Sequence, residues 1–141
     1  MGATVADRVG VARAVLDGFK ARDVDCLLSL FTPDAEFRTR VDVIGSSHFT
    51  GHDGVRAWLA AVDRQFDRYE VVDADCRLGA ADAVLVCCRL RLQHAGDRYG
   101  MSRMAYWVFR VDEDRGCVVA FTSFRDLDEA LAAAGLSGGA A

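Results

Sequence analysis

The feature of the sequence that most constrains its fold is a change of hydrophobic period about halfway along the chain. In the first half, apolar residues recur at spacings of three and four, which is typical of one buried helix face. In the second half, four runs of β-branched and aromatic residues are separated by the turn-forming segments GAAD, AGDRYG and EDRG. Helices followed by long antiparallel strands indicate an α+β fold, with the helices covering one face of a sheet.

Three helices are predicted in the first half. One spans residues 4–20, and Asp23 is placed to cap a second helix that Pro33 prevents from continuing. A third helix is predicted over about 54–68, after a loop rich in glycine and serine. The first strand lies between the second and third helices.

That first strand is the segment PDAEFRTRV, residues 33–41, which alternates with a period of two. Its polar face is most simply solvated or paired at an edge. Its apolar face carries one hydroxyl among hydrophobic side chains, which raises the question of whether this face is core or the wall of a site. The residues of the apolar face are Phe37, Thr39 and Val41.

A short helix is predicted at the end of the chain. Asp126 and Glu129 have the D-x-x-E spacing of a helix-capping pattern, and Gly135 suits the other end of the helix. A length of 141 residues is in the range of one domain that buries its own core. We predict a single domain over residues 1–136 and a disordered tail over 137–141.

Composition argues against several classes of protein. Acidic residues outnumber basic ones, 21 to 17, and the basic residues are scattered, so nucleic acid is not an expected partner. No window approaches the roughly 20 apolar residues of a membrane span, and a cytoplasmic location without membrane contact is expected. The five cysteines are odd in number and show no C-x-x-C spacing, which favours reduced, buried thiols.

Four segments of the chain resemble the SnoaL-like branch of the nuclear transport factor 2-like superfamily. They are FKARDVDCLLSLFTPDAEF, GHDGVRAWL, YWVFRVDEDRGCVVAFTSF and DEALAAAGL, and the resemblance extends from Val9 to Leu136. It implies a cone-shaped fold in which a curved, mainly antiparallel sheet wraps a long helix and leaves a pocket at the open end. The superfamily includes isomerases, cyclases, epoxide hydrolases, dehydratases and proteins without known chemistry, so the fold alone does not specify an activity.

The resemblance also implies which side chains face the interior of the cone. Most are apolar, and Trp58 of the third helix is counted with them, although packing in the core explains it most simply. Val119 of the last strand is expected to point inward as well. The candidate ligand-binding residues are Phe37, Thr39, Val41, Trp58, Leu90, Trp107, Phe121 and Ser123.

The residues that carry ketosteroid isomerase chemistry in this superfamily are replaced here. Thr39 stands at the position of the catalytic base, Val15 at that of the tyrosine and Trp107 at that of the buried acid. We therefore exclude that mechanism in its known form. Two other carboxylates have simpler explanations than catalysis. Asp126 caps the last helix, and Asp42 is a solvated residue of the loop.

Arg103, Arg125 and His48 are the candidate catalytic residues. Two arginines inside an apolar cone need a carboxylate partner or an anionic ligand, since an unpaired buried charge is costly. They either clamp a carboxylate or enolate oxygen or form salt bridges at the rim. His48 could carry protons at the pocket mouth. His48 and His52 are four residues apart, but the residues between them lie in a loop, and no third ligand follows nearby. No metal is therefore expected.

Two functions remain open at this point. The first is a cofactor-independent protein that holds a small, hydrophobic or weakly anionic molecule, as a binding protein or as an acid–base enzyme of the isomerase, cyclase, dehydratase or epoxide hydrolase type. The second is a non-catalytic ligand-binding or dimerisation module. Apolar residues on both faces of the strands, such as Tyr106 and Val108 opposite Trp107, predict a homodimer formed through the outer sheet face.

Overall fold

The computed structural model describes residues 7–39 and 48–136. Within these ranges a curved, six-stranded sheet has the strand order β2-β1-β6-β5-β4-β3. Strands β1 and β6 are parallel, and the other neighbouring pairs are antiparallel. The α+β prediction is confirmed. The elements are α1 Arg8–Ala21, α2 Val24–Leu30, β1 Phe31–Arg38, β2 His48–Thr50, α3 Gly51–Gln65, β3 Phe66–Leu78, β4 Ala83–His94, β5 Met101–Asp112, β6 Cys117–Phe124 and α4 Leu127–Ala133.

The predicted cap of the second helix is present. The Asp23 side chain accepts a hydrogen bond from the backbone N–H of Cys26 at 3.1 Å, which satisfies a donor that the first turn leaves free. The helix ends before Pro33 and passes directly into β1, so Pro33 lies inside the strand. β1 therefore begins two residues earlier than expected.

The third helix begins and ends about three residues before its predicted bounds. It starts at Gly51, whose φ of 69° and close approach to β1 favour glycine, since a Cβ there would lie 2.7 Å from the Pro33 carbonyl oxygen. At the other end, Phe66 already pairs with His94 in the sheet. Phe66 and Arg68, which the helical pattern assigned to the helix, pair with β4 instead.

The expectation that Val119 faces the core is wrong. Arg110 pairs with Ala120 while the next residue, Val111, pairs with Val118, so β6 contains an extra residue at this point. Such a bulge interrupts the strict alternation of faces. Val118 is consequently fully buried, whereas Val119 is only partly so.

Helices pack on both faces of the sheet. α1 and α3 cover the inner face and form the main core with it. On the outer face, Leu131 of α4 packs with Leu85 and Val108 in a second, smaller core. The protein's own last helix thus covers part of the apolar surface that the sequence had suggested for a partner.

Close contact at the β3–β4 turn positions α4. The backbone N–H of Ala80 donates to the Ala134 carbonyl at 2.8 Å. At Gly79 a Cβ would meet that same carbonyl oxygen at 2.5 Å, so this close approach requires glycine.

No helix in the described part of the chain combines the length and hydrophobicity needed to cross a bilayer. Residues 1–6 and 137–141, including the predicted tail, lie outside the described ranges.

The D-x-x-E cap of α4 gives the first testable prediction. The Asp126 side chain accepts from the Glu129 backbone N–H at 2.8 Å. Asp126→Ala is expected to lower the free energy of unfolding by about 1 kcal/mol, because that N–H loses its acceptor. Asp126→Asn, which retains an acceptor oxygen, is the matched control and should stay near wild type. Urea unfolding measures both, and equal stability of all three proteins would contradict the capping role.

Candidate functional site

A narrow cleft lies at one end of the inner sheet face, among side chains of β3, β4, β5, β6 and α3 and of the residue that follows β1. The space available to the centre of a water molecule is about 20 Å³, which is room for roughly one water. Seven of the residues predicted to face the cone line the cleft. They are Thr39, Trp58, Leu90, Arg103, Trp107, Phe121 and Ser123.

Strand pairing brings these residues together. Ser123 pairs directly with Trp107, and Leu90 pairs with Arg103, so each pair points to the same face of the sheet. Thr39 follows the end of β1, which runs alongside β6. The polar groups of the cleft thus come from strand ends, and its apolar wall comes from the strand interiors.

Aromatic rings fill the space beneath the cleft. Phe121 is at the centre, with its ring centroid 5.6 Å from Phe37, 5.4 Å from Trp107 and 6.2 Å from Trp58. Phe37 is almost fully buried and supports this wall from behind, facing a deeper apolar space instead of the cleft. The inner part of the cone is therefore core, and only its open end remains available to a ligand.

The indole N–H of Trp58 is the exceptional polar group at this site. Trp58 is only 8% exposed and lines the cleft. Its Nε1 is buried and has no hydrogen-bond partner among the described residues. The deeper space that Trp58 also lines presents no polar surface, so it supplies no acceptor for this donor.

The two predicted arginines are not brought together. Arg103 is half-buried and lines the cleft, whereas Arg125 is exposed between β6 and α4 and is not among the described residues of the lining. Strand alternation correctly indicated a face for Arg103. Arg125 lies beyond the last residue of β6, where alternation no longer determines direction.

His48 is placed at the edge of the sheet. It pairs with Arg38, on the face opposite Phe37, and its Nε2 lies 3.1 Å from Glu36 Oε1. Both side chains are about half exposed, so the contact is a surface pair of small energetic value. Val41, the remaining predicted wall residue, lies outside the described ranges.

His52 has a structural contact of its own. Its Nε2 donates to the Phe31 carbonyl at 2.8 Å and so ties α3 to the start of β1. The described residues contain no group of three or more His, Cys, Asp or Glu side chains placed to hold a metal ion.

Tyr69 is a lining residue that the sequence interpretation missed. It lies on β3, with its ring edge-on to Phe19 and Phe66 at 5.5 and 5.3 Å. Burial raises the pKa of its hydroxyl well above the usual range; the neighbouring Cys88 raises it further, and the Arg22 and Arg103 guanidiniums oppose the change. The phenol stays protonated at neutral pH and can donate a hydrogen bond. Tyr69 lies two residues before Val71 on β3, so strand alternation assigns both side chains to the same face and could have identified Tyr69 as a lining residue.

The thiols nearest the core are also held in their neutral form. Burial, with help from the adjacent Cys87 and Cys76, raises the pKa of Cys88 to about 12. Burial likewise raises the pKa of the Cys76 and Cys87 thiols. All five cysteines are free, and these three lack the lowered pKa that makes a thiol nucleophilic.

These raised pKa values predict a loss of stability at alkaline pH. An unfolded thiol loses its proton near 9.0 and an unfolded phenol near 10.0, whereas folded Cys88 and Tyr69 keep theirs to higher pH. The unfolded state therefore releases protons first, and the free energy of unfolding should fall as pH rises from 9 toward 12.

Urea unfolding across this pH range measures the effect. Cys88→Ala and Tyr69→Phe should each make the alkaline decline shallower, whatever they do to stability at pH 7. Tyr99→Phe, at a position 79% exposed, is the matched control and should leave the slope unchanged. A decline of the same steepness in all four proteins would show that neither buried group causes it.

Comparison with known proteins places this architecture in a family. The model of the SnoaL-like domain matches residues 12–120. A search of curated proteins finds no match. Similar solved structures include an NTF2-like protein of unknown function from Burkholderia pseudomallei, with 19% identity, coverage of 90% of this chain and 96% of that one, and a TM-score of 0.73.

Two further structures show the same fold. A candidate polyketide cyclase from Pseudomonas putida is 16% identical, with 90% of this chain and 95% of that one covered and a TM-score of 0.69. A protein from Catenulispora acidiphila with a ketosteroid isomerase-like fold, in complex with trimethylamine, is 18% identical, with 89% and 92% covered and a TM-score of 0.67. The chain therefore belongs to the SnoaL-like domain family and has the NTF2-like fold.

Proposed function

We propose that the protein binds a small, flat, mostly apolar molecule that presents a hydrogen-bond-accepting oxygen to the cleft. The observation that carries this proposal is the buried Trp58 indole N–H, which has no acceptor among the described residues. A buried donor without a partner costs about 1–3 kcal/mol. A ligand oxygen that reaches it, once the side chains of the wall move apart to admit the molecule, recovers that free energy.

The rest of the cleft suits the same ligand. Trp107 and Phe121 provide aromatic surfaces for a flat ring system. The Ser123 and Thr39 hydroxyls and the Arg103 guanidinium lie around the same space and favour a carbonyl, enolate or carboxylate oxygen over a cation. The ligand is thus a hydrophobic molecule that is neutral or weakly anionic.

Binding is better supported than acid–base catalysis. The described residues that line the cleft include no Asp, Glu or His, the usual general bases at neutral pH. Arg103 and the neutral Tyr69 hydroxyl can stabilise a developing oxyanion, but His48 and Arg125 lie elsewhere. The likeness to a candidate polyketide cyclase supports an oxygen-rich ligand, because polyketides carry many carbonyl groups on a carbon framework.

Native mass spectrometry of freshly purified protein tests whether a molecule is carried, and titrations test its chemistry. We expect 2-acetylnaphthalene and 2-naphthoate to quench tryptophan fluorescence at lower concentration than 2-methylnaphthalene, which has no acceptor oxygen. Trp58→Phe keeps a ring but removes the N–H. It should lower the affinity for 2-acetylnaphthalene by about tenfold, or about 1.4 kcal/mol.

The controls separate hydrogen bonding from stacking. Trp107→Phe retains the Trp58 N–H, so it should reduce the affinity for all three naphthalenes alike. Circular dichroism of each variant establishes that it is folded. If 2-methylnaphthalene bound as well as the ketone, or if Trp58→Phe affected both equally, the proposed donor role of Trp58 would be wrong.

We also propose that the protein forms a homodimer through the part of the outer sheet face that α4 leaves uncovered. Met104 is 41% exposed there, and Cys87, Tyr106 and Phe124 are partly exposed beside it. Tyr106 pairs with both Cys87 and Phe124, so these side chains form one apolar patch. This surface equally suits the alternative function, a non-catalytic dimerisation module.

Sedimentation velocity tests the dimer. Wild-type protein should sediment as a dimer, and Tyr106→Glu should shift it toward monomer, because a carboxylate at the centre of an apolar interface loses its hydration. Tyr99→Glu introduces the same charge in the exposed β4–β5 connection, away from this patch, and should remain dimeric. A monomeric wild type would rule out this assembly.

A further inference from the structure

A second, larger space lies next to the cleft on the other side of Tyr69. This groove runs between the C-terminal end of α1 and the edge strand β3, and has about 510 Å³ available to the centre of a water molecule. Pockets that hold organic ligands usually measure about 300–1,000 Å³. The cleft, at about 20 Å³, is far below this range, whereas the groove is within it.

We propose that Tyr69 is a gate between the cleft and this groove, and that it sets the length of the molecule that the cleft admits. The inference rests on the proposed function of the cleft. Among the residues in the described ranges, Tyr69 is the one that lines both spaces. Turning its ring away from the cleft joins them into one elongated site.

The contacts of Tyr69 allow such a movement. Its ring is held by edge-on packing against Phe19 and Phe66, with ring centroids 5.5 and 5.3 Å away. Aromatic pairs of this kind contribute a modest, geometry-dependent attraction beyond the area they bury. A ligand ring that replaces the phenol can make the same contacts.

The opposite wall of the groove is fixed in place. The Arg22 guanidinium forms a salt bridge with Asp63 at 3.1 Å, donates to the Phe19 carbonyl at 3.1 Å and lies 4.3 Å from the centre of the Phe19 ring. Three simultaneous contacts hold this side chain in one position. The movable element between the two spaces is thus the tyrosine.

The two spaces differ in chemistry, and this difference defines the ligand class. The cleft end offers aromatic walls and hydrogen-bond donors, whereas the groove is open to solvent and has both apolar and charged walls, with Phe19 and Val71 beside Lys20 and Arg68. An elongated aromatic ketone or related carbonyl compound fits this arrangement. Its oxygen lies at the Trp58 end, and its remaining rings extend past position 69 toward the groove.

A series of ketones of increasing length tests the gate. Acetophenone, 2-acetylnaphthalene and 2-acetylanthracene carry the same acetyl group on one, two and three rings. Tyr69→Ala should raise the affinity for the three-ring ketone relative to the one-ring ketone by about tenfold or more, measured by tryptophan quenching. Tyr69→Phe keeps the ring and should retain the wild-type preference.

Further variants make the result decisive. Arg68→Ala enlarges the groove without opening the cleft, and should leave the size preference unchanged. Tyr69→Val introduces a β-branched side chain, which suits a strand, and replaces Tyr69→Ala if circular dichroism shows that the alanine variant does not fold.

The outcomes distinguish the two proposals. If ketones bind the wild type but the shortened variants keep the same ratio of affinities, the gate is wrong and ligand binding in the cleft stands. If neither the wild type nor a folded variant binds any of the three ketones, the proposed ligand class is overturned, and the gate with it.

Discussion

The structure depends above all on aromatic packing between α3 and the inner face of the sheet. Trp58 is inserted among Phe37, Phe121 and Phe19, with ring centroids 4.9 to 6.2 Å apart. Rings of this size bury more apolar surface than any other side chain and prefer the tilted geometries seen here. This packing anchors both helices of the inner face to the sheet, and it also determines how much of the cone remains open.

The same packing accounts for the character of the site. Because rings occupy the inner part of the cone, the space that remains is a narrow cleft near the strand ends, where Arg103, Ser123 and Thr39 meet the edge of the aromatic wall. One donor of the wall, the Trp58 N–H, is buried without a hydrogen-bond partner among the described residues. Retaining such a group is costly in a core, and it is useful where a ligand supplies the missing acceptor.

Features set by short-range chemistry could be predicted from the sequence. The capping roles of Asp23 and Asp126 follow from a side-chain oxygen three residues before a free N–H. The inward direction of Trp107 and Ser123 follows from strand alternation once the register is known. The caps need only local spacing, whereas the strand residues need the register as well, and the structure agrees with both inferences.

Features set by contacts between distant segments could not be predicted in this way. The start of α3 at Gly51 depends on the Pro33 carbonyl, and the burial of Val118 instead of Val119 depends on a bulge in the pairing with β5. Alternation with Val71 assigns Tyr69 to the inner face, but whether it also lines the groove depends on where α1 ends relative to β3. Alternation indicates a face, but it does not indicate whether a strand end such as Arg125 is covered.

The most direct test of the account is the indole N–H signal of Trp58 in a ¹H–¹⁵N correlation spectrum. The chain has two tryptophans, so Trp107→Phe assigns both signals. Addition of 2-acetylnaphthalene should move the Trp58 signal downfield and slow its exchange with water, as expected for a new hydrogen bond to a ligand oxygen. Saturable binding of the ketone that leaves the Trp58 N–H signal unmoved would contradict the account.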